Sequence, residues 1–328
     1  MAESPQLSAP FALGTFADGP GLEFPGLLVG ERVLDLTELL PAGRSHCVLA
    51  LVEHWDEALP ALHRLAEAPA DAWHALSALR VLAPVRPRQV FQAGANYRQH
   101  VIDLEVAHRT PDDERTEEQA RAEIAAIMDR RAAEDLPYVF LGLPSSITGP
   151  YDDVVLPAWA AKPDWELELA VVIGREAFRV PEAEALSYVA GYTIANDLTD
   201  RASVFRRDMP AIGTDWLRSK NAPGFTPLGP YLVPAEFVPD PGKLQVTLSL
   251  NGQKMQDEST ADMLFGVARL ISAISQTARL LPGDLVLTGS PAGNGMHWGR
   301  LLRDRDVMEG SITGLGHQRT TCLAEAAR

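Results

Sequence analysis

Between Asp164 and Gly174 the chain reads Asp-Trp-Glu-Leu-Glu-Leu-Ala-Val-Val-Ile-Gly, and no other stretch restricts the fold as much. Carboxylates alternate with large apolar residues before an apolar strand signal, and residues two apart in a strand share a face. Glu166 and Glu168 therefore project together, with Trp165, Leu167 and Leu169 opposite. Neighbouring carboxylates repel, and one takes a raised pKa unless a proton or cation intervenes. A paired acid on the outer face of a half-buried strand is the ordinary alternative. A third oxygen ligand favours the cation: Asn196-Asp197 closes the strand-like "VAGYTIAND", placing a carboxylate where functional loops commonly begin. Three carboxylates with no cysteine or nearby histidine suit Mg2+, Mn2+ or Ca2+ rather than zinc.

Around this stretch the pattern is mainly extended. After Pro137 come "LAVVIG", "VAGYTIAND", "KLQVTLSLNGQ" and "GDLVLTG"; in the third, Val246, Leu248 and Leu250 alternate with polar residues before Asn251-Gly252, a hairpin signal. Helical pattern returns at 261–277. The order predicts an α+β, mainly β fold rather than a doubly wound sheet. Residues 1–83 read as a small N-terminal α+β domain of short strands followed by Ala/Leu-rich helix, with a turn at Val-Gly-Glu-Arg. Pro84 and Pro87 mark a linker, and the larger domain spans 88–325. Between Asp112 and Asp135 a charged helix is predicted, with Ala120, Ile124, Ile127, Met128 and Ala132 as its apolar stripe. Thr116 and Gln119 suit a capping box, with Asp112 a competing cap. Such a helix packs as a surface layer or serves as a lid.

Acidic residues outnumber basic ones, 44 to 29, for a formal charge of -15, a field that repels nucleic acid and anionic lipid. The N-terminus lacks a basic region followed by an apolar core, and no apolar run has membrane-spanning length, so a cytoplasmic location is expected. Cys47 and Cys322 form no Cys-x-x-Cys and are read as packing residues. His46, His54, His63 and His74 are likewise read as surface or packing residues.

Upstream of the acidic strand, "FQAGANYRQHVIDLE" places His100 three residues before Asp103 and five before Glu105. If a helix turn follows Tyr97, Asp103 lies beside the imidazole, able to orient it and raise its basicity. A surface helix pair is the alternative.

In order, "GANYRQH", "DWELELAVVIG", "VAGYTIANDLTDR", "WLRSKNAPGFTPLGPYLVP", "LNGQKMQDEST", "LLPGDLVLTGSPAGNG" and "ITGLG" resemble the fumarylacetoacetate hydrolase family over roughly residues 88 to 316. The resemblance implies a mixed β-sandwich roll, a homodimer, and a Mg2+ or Mn2+ ion on Glu166, Glu168 and Asp197. It implies a hydrolase that cleaves a C–C bond in a 2,4-dioxo acid such as an acylpyruvate. A lyase of the same family, a decarboxylase or a hydratase/isomerase of 2-oxo acids, is the alternative, and a scaffold with weakened catalysis the third. By position His100 is the catalytic histidine, aided by Asp103 or Glu105, Lys220 the active-site lysine, and Thr288-Gly289-Ser290-Pro291 the substrate loop, with Tyr97 also on the substrate side. Both keto oxygens of a diketo acid would chelate the ion, which would polarise the carbonyl and stabilise the departing enolate. Lys220 would offset oxyanion or product charge, and Ser290 with nearby amides would bind the acid group.

The chain also departs from that pattern. Asp103 replaces a glutamate, Gly142 or Leu143 stands where relatives carry a lysine, and Ala95 where acylpyruvate hydrolases carry an arginine. Arg206, Arg207 and Arg300 are the expected substitutes, since arginine offers a fork suited to a carboxylate; the alternative places them at the surface or a dimer interface. The missing cations predict a substrate other than a simple acylpyruvate, with a bulkier or less acidic tail. "TDRA" after Asp197 is another departure.

Overall fold

A computed structural model describes residues 7–19, 21–38, 46–67, 73–107, 109, 112–211 and 213–326. Residues 1–6, the start of the segment read as lacking a leader, lie outside them. Strands dominate, as expected, and among the described residues they form three large sheets of five, six and five strands and two of two strands each. The N-terminal sheet is antiparallel, in the order Trp73–Ala75, Arg32–Asp35, Glu23–Val29, Ala12–Ala17, Arg80–Leu82. Helices α1 (Val48–Val52) and α2 (Trp55–Ala66) follow its third strand, and α2 buries Trp55, Ala58 and Leu62, the i, i+3, i+7 face of an amphipathic helix.

The central sheet runs Val233–Pro234, Val189–Asn196, Leu167–Ile173, Leu285–Leu287, Val90–Gly94, Tyr138–Gly142, with one parallel pair, Leu285–Leu287 beside Val90–Gly94. The third sheet runs Gln253–Ser259, Gln245–Leu250, Val307–Ile312, Gly316–Ala324, Val154–Leu156. Its first hairpin turns on Asn251 and Gly252, both at positive φ (52° and 81°), as the Asn-Gly signal requires. The Leu167–Ile173 strand is buried throughout because it is covered on both faces. Leu167, Leu169, Val171 and Ile173 join a core with Val246, Leu248, Met308 and Ile312, and Ala170 and Val172 join Leu13, Leu27 and Leu285. Glu166 and Glu168 continue the second of these faces.

The Pro84–Pro87 segment connects the last strand of the N-terminal sheet to the first strand of the central one, and the two share cores: Leu13 and Leu232 exchange backbone hydrogen bonds. Cys47 and Cys322 are free thiols. His46 and His54 are exposed, His63 pairs with Glu236 at 2.5 Å, and His74 packs on Phe24.

The remaining helices are α3 (Arg98–Ala107), α4 (Glu117–Glu134), α5 (Trp216–Lys220), α6 (Val267–Thr277) and α7 (Gly295–Trp298). The predicted capping box starts α4: Thr116 accepts from the Gln119 amide and Gln119 from the Thr116 amide. Asp112 lies in a turn before it. Ala120, Ile124 and Met128 are buried, the last two against Val101 and Ile102 of α3, whereas Ile127 is exposed because it falls off the line that four-residue spacing draws.

Candidate metal and substrate site

The antiparallel register sets Leu167 opposite Asn196, so Glu166 and Asp197 meet just past the paired ends of two central strands. The Asp197 amide donates to the Glu166 carbonyl (2.8 Å), and Trp165, fully buried, anchors the opposite face by donating to the Gly293 carbonyl. Carboxylate oxygens of Glu166, Glu168 and Asp197 all lie within 4.8 Å of one another, and all three side chains are buried. Each is aimed by a hydrogen bond from elsewhere. Gln92 donates to Asp197 Oδ1 (2.6 Å), the Gly289 amide to Glu168 Oε2 (2.7 Å), and Lys220 Nζ to Glu166 Oε2 (2.7 Å) and to the Asp197 carboxylate. Lys220 also donates to Thr199 Oγ1 (2.7 Å). Arg201 closes the ring, donating to Asp164 Oδ2 at 2.8 Å and pairing with Glu166 Oε1 at 2.6 Å.

Four buried carboxylates, Asp164, Glu166, Glu168 and Asp197, thus face two cations, Lys220 and Arg201. The imbalance appears in their proton affinities. Burial would raise the Glu166 carboxyl, but the Arg201 and Lys220 charges bring it down to about 2. Glu168 is pushed well up by burial and by the Asp197 and Glu166 charges. Asp197 is raised to about 6, chiefly by burial. Two uncompensated negative charges on hard oxygen donors are what a divalent cation such as Mg2+ or Mn2+ neutralises, so the residues fit that ion.

The chemistry-bearing residues around the triad divide into two groups. His100, on α3, is half-buried at the rim; burial, with the Arg201 and His297 charges, lowers its pKa to about 4, leaving a neutral imidazole at pH 7. Its Nδ1 lies 3.5 Å from Asn294 Nδ2. Tyr97 is fully buried, its hydroxyl held in the neutral form by burial and the Glu168 charge. Gly289 aims Glu168, and Ser290 accepts a hydrogen bond from Gln256 (3.0 Å). Thr288, by contrast, spends its hydroxyl on the Leu169 carbonyl (2.9 Å).

The second group is tied to other partners or is exposed. No hydrogen bond or ion pair joins Asp103 to His100: Asp103 accepts from Gln99 and Arg121 instead. Glu105 and Arg207 are exposed. Arg206 pairs with Asp208 and Asp215, and Arg300 is held by Asp306 through two hydrogen bonds. The guanidinium at the buried carboxylates is that of Arg201, which sequence reasoning met only as a departure in "TDRA". Gln92 passed unnoticed within "FQAGANY", since a lone glutamine carries no spacing signal.

Residues 89–323 match the family model for the fumarylacetoacetate (FAA) hydrolase C-terminal region. The chain belongs to the fumarylacetoacetate hydrolase family. A 2,4-didehydro-3-deoxy-L-rhamnonate hydrolase of Sphingomonas sp. (strain SKA58) is 44% identical over 186 residues, 56% of this chain and 64% of that one. The match therefore spans less than two thirds of that relative's length. The mitochondrial oxaloacetate tautomerase Fahd2a of Rattus norvegicus is 34% identical over 269 residues, 82% of this chain and 76% of its own. Among solved structures, 2-hydroxyhepta-2,4-diene-1,7-dioate isomerase from Mycobacterium marinum has a TM-score of 0.68 at 27% identity, covering 97% of this chain and 100% of that one. Maleylpyruvate hydrolase from Sphingobium sp. SYK-6, solved with manganese(II) and pyruvate, has a TM-score of 0.72 at 24% identity over 96% of this chain and 100% of that one, and shows the common fold. The fumarylacetoacetate hydrolase relatives are thus hydrolases, tautomerases and isomerases of oxo acids. Among the described residues no helix is long and apolar enough to cross a membrane. The family's lysine position holds no cation here: Gly142 ends an edge strand, its Cβ space taken by Gln92, and Leu143 is exposed.

Proposed function

We propose that the protein is a metal-dependent hydrolase that cleaves a C–C bond in a 2,4-dioxo acid. The observation that carries this reading is the buried Glu166, Glu168 and Asp197 triad, carrying excess negative charge, with a neutral imidazole, His100, at its rim. Mg2+ or Mn2+ held by the triad would supply Lewis-acid polarisation of a keto oxygen. His100 takes a proton from water, whose oxygen adds to the C4 carbonyl. The C3–C4 bond then breaks with its electron pair on C3, and protonation of C3 yields a 2-oxo acid and a carboxylic acid. Lys220 keeps Glu166 and Asp197 ionised and offsets charge developing beside them. Ser290 presents a hydroxyl to the substrate's acid group.

The substrate named for the Sphingomonas relative, oxidised at C2 and C4 of a deoxy sugar acid, is itself a 2,4-dioxo acid, and its hydroxylated tail is the less acidic kind expected here. Loss of enol absorbance across a panel of 2,4-dioxo acids tests the reading: hydroxylated tails turn over faster than a short acylpyruvate, and equal turnover contradicts the tail preference. Replacing His100 with Gln lowers kcat by roughly 10²- to 10⁴-fold while Mn2+ binding, followed by calorimetry, is retained.

The length of the match to the rat tautomerase favours a second reading, enol–keto exchange of an oxaloacetate-type acid on the same groups. Exchange of C3 protons without cleavage would select it.

A cytoplasmic homodimer completes the proposal. Leu141 and Leu143, at the edge strand of the central sheet, and Leu217 on α5, which packs against that strand, are exposed apolar side chains, as is nearby Phe205. A second copy of the chain would cover them. Leu141→Glu is expected to yield monomer in sedimentation; an unchanged dimer would move the interface elsewhere.

A further inference from the structure

His297 was not among the residues that the sequence singled out for chemistry, yet the fold builds a holder for it. Asp103 has one oxygen, Oδ1, clamped by Gln99 and by Arg121 of α4, both at 2.8 Å. The other, Oδ2, lies 3.8 Å from His297 Nδ1. The imidazole packs edge-on against Trp298 (5.1 Å between centroids), whose indole is tied to the Met255 and Gly293 carbonyls. Asn294, capping α7, accepts from the His297 amide (3.3 Å) and reaches His100 with its other end. The ring is about two-fifths exposed. A carboxylate fixed through one oxygen and facing a ring nitrogen with the other is the arrangement that orients an imidazole for proton transfer, and such contacts tighten when substrate binds.

We propose that His297, oriented by Asp103, is the residue that returns a proton to C3 of the substrate, a role resting on the hydrolytic reading above. His100 accepts one proton as water adds to C4. When the C3–C4 bond breaks, the electron pair on C3 takes a proton from the His297 imidazolium. His297 recovers a proton from solvent, and His100 gives its own to solvent, so the turnover consumes one water and releases two acids. The carboxylate that the sequence places beside His100 serves the other histidine.

The test uses full-length protein with Mn2+ and a 2,4-dioxo acid that the wild type cleaves, following two signals: loss of dioxo-acid absorbance, and appearance of keto product by coupled reduction. In the wild type they coincide. In His297→Gln cleavage continues but the keto signal lags, because product leaves as the enol and ketonises in solution; Asp103→Asn shows the same lag. Both variants should keep the wild-type melting temperature and Mn2+ affinity, and a loss of fold in one leaves the other to decide. Coincident signals in a folded His297→Gln overturn the assignment. A wild type that cleaves no dioxo acid instead overturns the hydrolytic reading. If that wild type exchanges C3 protons of a 2-oxo acid, the same variant must slow deuterium wash-in by roughly 10²-fold, and an unchanged rate refutes the role of His297.

Discussion

Replacing Glu168 with Ala is expected to abolish Mn2+ binding and to lower turnover by roughly three orders of magnitude, because several kcal/mol of transition-state charge stabilisation would leave with the ion. Glu168 is the decisive ligand to remove: burial and the Asp197 and Glu166 charges raise its proton affinity, so its ionised form needs the cation most. Titration calorimetry and initial rates measure the two effects. The same electrostatics give a pH dependence. In the metal-free fold Asp197 sits at about 6, above its ordinary value of 3.8, so between those values the folded chain binds a proton that the unfolded chain does not. That proton stabilises the metal-free fold in acid, and its contribution is lost as pH rises through about 6. Metal must displace it. Mn2+ affinity therefore weakens as pH falls from 7 to 5, and thermal stabilisation by Mn2+ is larger at pH 7.5 than at pH 5.

Lys220→Met has the largest expected effect on stability. It leaves Glu166 and Asp197 buried with one cation fewer, and removing one partner of a buried ion pair costs about 3–5 kcal/mol. The sign with pH is opposite to that of Asp197. Burial alone would raise Glu166, yet Arg201 and Lys220 hold it at about 2, below its ordinary 4.5, so its ion pairs stabilise the fold fully above 4.5 and lose that contribution as pH falls through about 2. Lys220→Met surrenders part of it, so denaturant unfolding should show a wide gap from wild type at pH 7 that narrows in acid. Mn2+ narrows it too, by supplying charge where the ammonium was.

The strand period alone was enough to bring Glu166 and Glu168 onto one face, and a strand terminus placed Asp197, because both signals are local. Lys220 came from resemblance only: its partners are 54 and 23 residues away, a distance no periodicity spans. Arg201 and Gln92 were missed for the same reason, their partners lying 37 and 105 residues off. Arg206 and Arg300 misled in the other direction, since a guanidinium fork suits any carboxylate, and Asp208, Asp215 and Asp306 stand nearer in the chain. Asp103 shows the limit of helical spacing. Its three-residue offset put it near His100, but a partner from α4, Arg121, decides where the carboxylate points. The N-terminal sheet was legible as strands and helix, whereas the core it shares with the central sheet depends on contacts between distant segments.

On the proposed reading, the buried triad binds the divalent ion on which the chemistry depends. The most direct test is the decay of enol absorbance of a hydroxylated 2,4-dioxo acid, followed as Mn2+ is titrated into chelator-treated protein. The expected result is no decay without metal, a rate that saturates at one ion per chain, and silence on adding chelator. Decay at full rate in the presence of chelator would contradict it.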